Sequence, residues 1–119
     1  MCKVCTGRVS YGGKDGLDIT VKSGKGIGKV FAPTWDMVMG VKQGRITEAE
    51  YTERFLNLLR ERFRQDEAAF IEVLKRDRVV LLCYCRTGVF CHRHLVMDVL
   101  EKVAKAKGLT YERGGEVDR

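Results

Sequence analysis

Between residues 82 and 94 the chain reads Leu82-Cys83-Tyr84-Cys85-Arg86-Thr87-Gly88-Val89-Phe90-Cys91-His92-Arg93-His94. Three of its five cysteines and both of its histidines fall in this one segment. Thiols attack electrophiles or ligate soft metals once deprotonated. Imidazole moves protons near neutral pH or ligates metals. Arg86 and Arg93 bring planar, permanently charged forks suited to phosphate or carboxylate. Gly88 lets a backbone approach a ligand closely. The candidate catalytic groups are Cys85 and Cys91. The candidate ligand-binding groups are Arg86, Thr87, Gly88, His92 and Arg93.

The segment gains meaning from the elements that flank it. Val79-Val80-Leu81-Leu82-Cys83 is a short apolar run bracketed by charge, the pattern of a strand buried on both faces of a parallel sheet. From Cys91 to about Lys107, Leu95, Val96, Val99, Leu100, Val103 and Ala104 make an apolar helical stripe. Lys102, Lys105 and Lys107 suit the negative end of that helix, and Gly108 its C-terminal cap. Leu109 to Glu112 then returns as a strand. Residues 79–112 thus form a strand–loop–helix–strand unit, with the reactive loop at the carboxyl end of a strand, where α/β sheets bind ligands. The helix N-terminus there presents unpaired N–H groups and a positive dipole end to an anion.

Several chemistries stay open for these residues. On a strand, Cys83 and Cys85 face one side and Tyr84 the other. Cys83 lies inside the apolar run, where a packed core thiol is the default. Cys91 opens a helix, where thiol pKa values fall. Zinc would need convergence of four ligands from Cys2, Cys5, Cys83, Cys85, Cys91, His92 and His94. An extended Cys2-x-x-Cys5 points its thiols to opposite faces, against a shared metal. His92 and His94 diverge by roughly 200° around a helix, so one of them serves a single site, and His92, beside Cys91 and Arg93, is favoured. No metal or cofactor is assigned at this stage.

Upstream, seven glycines crowd the first 28 residues. They divide a strand over Val4–Tyr11 from a second over Leu17–Val21. A flexible basic loop follows, Ser23-Gly24-Lys25-Gly26-Ile27-Gly28-Lys29, whose G-x-G-x-G lacks the full spacing of a nucleotide-binding loop. Pro33 starts a short helix reaching Val41, on which Trp35 and Met39 share one face and Met37 and Val41 another. Large apolar residues of this kind default to the core. Thr47-Glu48-Ala49-Glu50 is a capping box that opens a helix over Thr47–Arg64. Tyr51, Phe55, Leu58, Leu59 and Phe63 form its inner stripe. Asp66 caps a further helix to Lys75.

The whole has 119 residues, 45% apolar and 32% charged. That composition excludes a disordered chain, and the length suffices for a core without disulfides or metal. No apolar run reaches the ~20 residues of a membrane span, and the N-terminus lacks a signal-peptide pattern, so a cytoplasmic location is expected. An odd count of five cysteines fits reduced thiols better than a disulfide framework. The net charge is +6, and +5 of it lies in residues 1–46, from eight Lys/Arg against three Asp/Glu. Such a segment suits an anionic small molecule or nucleic acid, or merely a solubilising surface. Oligomeric state is not legible.

Two resemblances attach to these residues. The strand ending Leu81-Leu82-Cys83, the Cys91-His92-Arg93 that opens a helix, and Ala32-Pro33-Thr34-Trp35 and Glu50-Tyr51 upstream resemble the domain of unknown function 488 family of small bacterial and phage proteins. The likeness spans about residues 30–112. It implies an α/β fold with the Cys-His-Arg loop at the strand edge, and it supplies no reaction. Many members carry an acidic residue where this chain has Cys85, so the family lends Cys85 no role. Tyr84-Cys85-Arg86-Thr87-Gly88-Val89 is also similar to the rhodanese active-site loop. That likeness implies a persulfide on Cys85 cradled by residues 86–90, although the Asp-Val-Arg and Gly-His-Ile stretches of a rhodanese are absent. A cysteine phosphatase needs Cys-x5-Arg, and the position in question holds Cys91.

The fold expected is α/β: a single three-layer domain over residues 1–119, Rossmann-like, with a mostly parallel sheet of about four strands. The function expected is anion or phosphate binding by residues 85–93, in an enzyme acting on a nucleotide or nucleic-acid-derived substrate. Rhodanese-like sulfur transfer through Cys85 is one alternative. A non-enzymatic zinc- or nucleic-acid-binding module is another.

Overall fold

The computed structural model describes residues 2–84 and 91–117. In chain order its elements are β1 (Cys2–Arg8), β2 (Gly16–Asp18), α1 (Ile27–Val30), α2 (Trp35–Lys42), α3 (Glu48–Gln65), α4 (Glu67–Leu74), β3 (Arg78–Cys83), α5 (His92–Lys107) and β4 (Tyr111–Glu116). The four strands form one sheet in the order β2-β3-β1-β4. Every pairing in it is parallel. This is the α/β class with a parallel sheet that the strand and helix patterns imply.

β3 lies between β1 and β2, which explains its unbroken apolar run, since both faces need cover. Val79 and Leu81 point into the larger core with Phe55 and Leu59 of α3, Phe70 and Val73 of α4, and Val96 and Leu100 of α5. Val80 and Leu82 point to the opposite face, where Cys5, Val9, Tyr11 and Val117 meet them. The layers are therefore three and unequal: packed helices, the sheet, and a thin cover of loop and tail. Cys2 and Cys5 fall in different clusters on opposite faces of β1, as an extended i, i+3 pair must.

The caps stand where the sequence puts them. Thr47 accepts from the Glu50 N–H while the Glu50 side chain accepts from the Thr47 N–H. Asp66 Oδ1 accepts from the Ala69 N–H at the start of α4. Gly108 closes α5 in the left-handed region at φ 69°, where a side chain would be strained.

Five expectations need correcting. β1 ends at Arg8 rather than Tyr11, and β2 keeps only Gly16–Asp18, because its sole partner is β3. The basic segment 23–29 is not wholly a loop, for Ile27–Val30 forms α1 against β2. The phase of α2 buries Met37 and turns Trp35 and Met39 outward, so Trp35 is 52% exposed. Thr34 sets that phase by capping the Met37 N–H. Finally, β4 runs on through Gly114 and Gly115 to Glu116, past the expected end at Glu112. The pairing shifts between Val4↔Arg113 and Thr6↔Glu116, so that the extra residue lies in β4. A Cβ at Gly114 would collide with the Cys5 sulfur.

Candidate active site at the carboxyl edge of β3

β3 delivers Cys83 at its last position, and α5 begins nine residues later at His92 with Cys91 as its N-cap. Cys91 has extended backbone angles and makes no side-chain cap bond. Its sulfur instead lies 3.0 Å from Cys83 Sγ. His92 Nδ1 is 3.7 Å from Cys91 Sγ and 3.9 Å from Cys83 Sγ. The sulfurs and the imidazole are buried together, with donor atoms all within 4.8 Å of one another.

The other side of the imidazole fixes its tautomer. His92 Nε2 lies 2.7 Å from the Ile19 carbonyl oxygen. A carbonyl only accepts, so Nε2 carries a proton, and in the neutral ring Nδ1 presents its lone pair to the two sulfurs. The Phe55 ring meets the imidazole edge-on at 5.4 Å and an interplanar angle of 89°. The ring is thus held by a carbonyl just beyond β2 and a side chain of α3.

Ile19 is held in turn by the turn that follows β2. Asp18 accepts from the Thr20 N–H at 2.9 Å, from the Thr20 hydroxyl at 2.7 Å, and from the Ser23 hydroxyl. Partial burial pushes the Asp18 carboxyl up, but the Ser23 and Thr20 bonds outweigh burial and hold it below its ordinary value. Ser23 Oγ also lies 2.9 Å from the Tyr84 hydroxyl, joining this turn to the residue that leaves β3. The G-x-G-x-G segment serves the same turn. Gly28 packs directly against the Asp18 carbonyl, where a Cβ does not fit. In the described structure that glycine provides close approach between α1 and β2.

The three donors open onto a cavity of about 350 Å³. Its walls include Pro33, Trp35, Val38 and Val41 from the α2 region and Tyr51 of α3. Thr20, Val21, Lys22, Lys42 and Tyr84 also line it. Cys83, Cys91 and His92 are buried, whereas Trp35 and Tyr84 are about half exposed. The cavity therefore has a sulfur-and-imidazole inner end and an aromatic, basic mouth. Lys22 Nζ stands 5.7 Å from the centre of the Tyr84 ring.

Of the residues singled out by sequence, Cys91 and His92 come together here. Arg93 is placed differently. It is fully buried, donates to the Gly7 carbonyl at 3.2 Å, and pairs with Glu116 at 3.6 Å. Its charge binds the start of α5 to β1 and β4 inside the fold. Cys85, Arg86, Thr87 and Gly88 lie outside the described residues, and so does most of the rhodanese-like stretch. Cys2 is remote from the cluster, its thiol directed at the Val73 carbonyl and its pKa raised by burial. His94 is only partly buried, in keeping with its divergence from His92. Cys83 is buried, as expected of a packed thiol, but sequence reasoning did not bring it beside Cys91 and His92, nor place Trp35 and Lys42 at the cavity. A signal existed for Cys83: it is the last residue before a ligand-binding edge, eight positions ahead of a second Cys followed by His.

No helix among the described residues is long and apolar enough to cross a membrane. Neither the curated proteins nor the solved structures contain a match to the chain. A family model described as the active DUF488-N3 subclade matches residues 26–104. That span runs from the cap of α1 through most of α5 and takes in Pro33, Trp35, Cys83, Cys91 and His92. The chain belongs to the domain of unknown function 488 family.

Proposed function

We propose that this chain is an enzyme that binds a planar anionic small molecule, a nucleotide or a nucleic-acid-derived fragment, in the cavity beneath Trp35 and Tyr84. Its reacting end meets Cys83, Cys91 and His92. The observation that carries the reading is one cavity holding two thiols and an imidazole lone pair at its buried end, and two aromatics and two lysines at its mouth. Flat rings stack on exposed aromatic faces, and Lys22 and Lys42 supply charge for a phosphate.

Trp35 is the only tryptophan of the chain, so its fluorescence reports on the cavity mouth. Nucleoside monophosphates, free nucleosides and inorganic phosphate are titrated in turn. The nucleotides are expected to change the emission saturably, and more weakly as salt rises. Stacking is worth about 1–3 kcal/mol per base, so Trp35→Ala, followed by calorimetry, is expected to weaken binding roughly five- to 150-fold. Lys22→Ala combined with Lys42→Ala is expected to remove the salt dependence. No saturable response to any nucleotide or nucleoside would overturn the reading.

A further inference from the structure

We infer that Cys83, Cys91 and His92 form a metal centre for a zinc-class ion, with one coordination position facing the cavity. The inference names a cofactor for the end of the cavity assigned above to the reacting atoms, and it stands or falls separately from the choice of substrate.

Three observations point to it. The first is donor type and spacing. Two thiolates and an imidazole are a set that favours Zn²⁺ over the hard cations. Bonds of about 2.3 Å to sulfur and about 2.0–2.1 Å to nitrogen place tetrahedral donors roughly 3.5–3.8 Å apart. The two sulfur–nitrogen separations here are 3.7 and 3.9 Å. The sulfur–sulfur separation of 3.0 Å needs to open by about 0.8 Å, which a small rotation at either Cβ supplies.

The second is the far side of the imidazole. A ligating histidine characteristically donates its other N–H to a backbone carbonyl or carboxylate, which sets the tautomer and aims the lone pair. Ile19 receives that hydrogen bond at 2.7 Å, so Nδ1 is aimed at both sulfurs before any ion arrives. A simple dithiol pair has no need of an imidazole placed within 3.9 Å of both of its members.

The third is location. All three donors line the cavity as well as one another. A site closed by four protein ligands is structural, whereas the three ligands found among the described residues, beside a cavity, would leave a place for water or substrate. An ion there would hold both sulfurs as thiolates and offset their charge in a buried setting. It would also supply Lewis acidity at the point where a bound molecule's reacting end lies.

The test uses the freshly reduced full chain with zinc alone. Native mass spectrometry is expected to show one zinc per chain, and the denatured spectrum the bare mass. Cobalt substitution is expected to give a thiolate charge-transfer band, and cadmium NMR a shift characteristic of two sulfurs and one nitrogen, both on the unmodified protein. Cys83→Ser and His92→Gln, checked for folding by circular dichroism, are each expected to lose the stoichiometric ion. Cys85→Ser is expected to keep it, and so is Trp35→Ala even where nucleotide binding fails. A bare native mass in excess zinc would overturn the centre, as would retention of the ion in both ligand variants. Loss of the ion in Cys85→Ser would overturn the open position. Extra mass of one sulfur that survives denaturation and disappears with reductant would replace the metal with a persulfide.

Discussion

Gly28→Ala tests the link between the glycine-rich turn and the site, and its size can be worked out. Gly28 lies in α1, and the backbone there is not in the left-handed region, so alanine is conformationally acceptable. In a helix the exchange gains about 0.5–1 kcal/mol. Against that gain, the new methyl would stand 3.1 Å from the Asp18 carbonyl carbon and closer still to its oxygen. The obstacle is backbone, so relief requires α1 and β2 to separate. Forcing a methyl into a filled space costs about 1–3 kcal/mol, and an obstacle made of backbone takes the upper half of that range, so the clash wins by about 1–2.5 kcal/mol net. For a chain of this length the melting temperature should fall by roughly 4–10 °C. The same displacement moves the Asp18–Ile19 peptide and lengthens the bond from His92 Nε2 to the Ile19 oxygen, now 2.7 Å. The assay is a thermal melt combined with proton NMR of the imidazole Nε2–H, which should shift upfield as its hydrogen bond weakens. Gly12→Ala is the control, because nothing lies within 4 Å of a Cβ there. A Gly28→Ala protein with unchanged melting and an unchanged imidazole resonance would refute the coupling of turn to site.

Three further outcomes are expected. Thr47→Ala removes the hydroxyl that caps α3 and should cost about 1 kcal/mol by urea denaturation, with the cavity unaffected. Phe55→Ala empties a fully buried position and should cost about 3–5 kcal/mol. It also frees the imidazole face that Phe55 now meets, so His92 ring NMR lines should broaden. Tyr111 has its pKa pushed up to about 12, mainly by burial, while its hydroxyl donates to the Met97 carbonyl at 3.2 Å. A raised folded pKa means a contribution that is whole below the unfolded value near pH 10 and lost as pH rises toward 12. Tyr111→Phe should therefore flatten the loss of stability between pH 10 and 12 relative to the parent, measured by denaturation at each pH.

What the sequence discloses and what it conceals follow a physical boundary. β3, the capping box at Thr47 and the glycine that ends α5 are legible because each is written in neighbouring residues. The position of Cys91 and His92 at the start of a helix beyond β3 is legible for the same reason. The phase of α2 is not, since Trp35/Met39 and Met37/Val41 are equally apolar pairs. Only packing against α3 and the Thr34 cap decide between them. The extension of β4 through Gly114 and Gly115 runs against strand propensity, and is explained by close packing on Cys5. The approach of Cys83 to Cys91, and of the Ile19 carbonyl to His92, depends on elements that meet only after the sheet has formed. The burial of Arg93 is concealed for a related reason. A guanidinium beside a candidate anion site reads as a ligand until its pairing with Glu116 in the last strand is seen.

The sheet order has a consequence for how the chain reaches this state. β1 is an inner strand, yet its partners come late: Lys3 aligns with Arg78, and Cys2 with Tyr111. One edge waits for β3 at Arg78–Cys83, and the other for β4 at Tyr111–Glu116. Meanwhile α3 and α4 can pair through local contacts. Such a layout favours early helix assembly and late insertion of the first strand, with slow, topology-limited closure. A ribosome-bound fragment lacking β4 would expose one whole edge of β1, with Val4 and Cys5 beside it. That edge is the place where a nascent or truncated chain would recruit a chaperone or a second copy of itself.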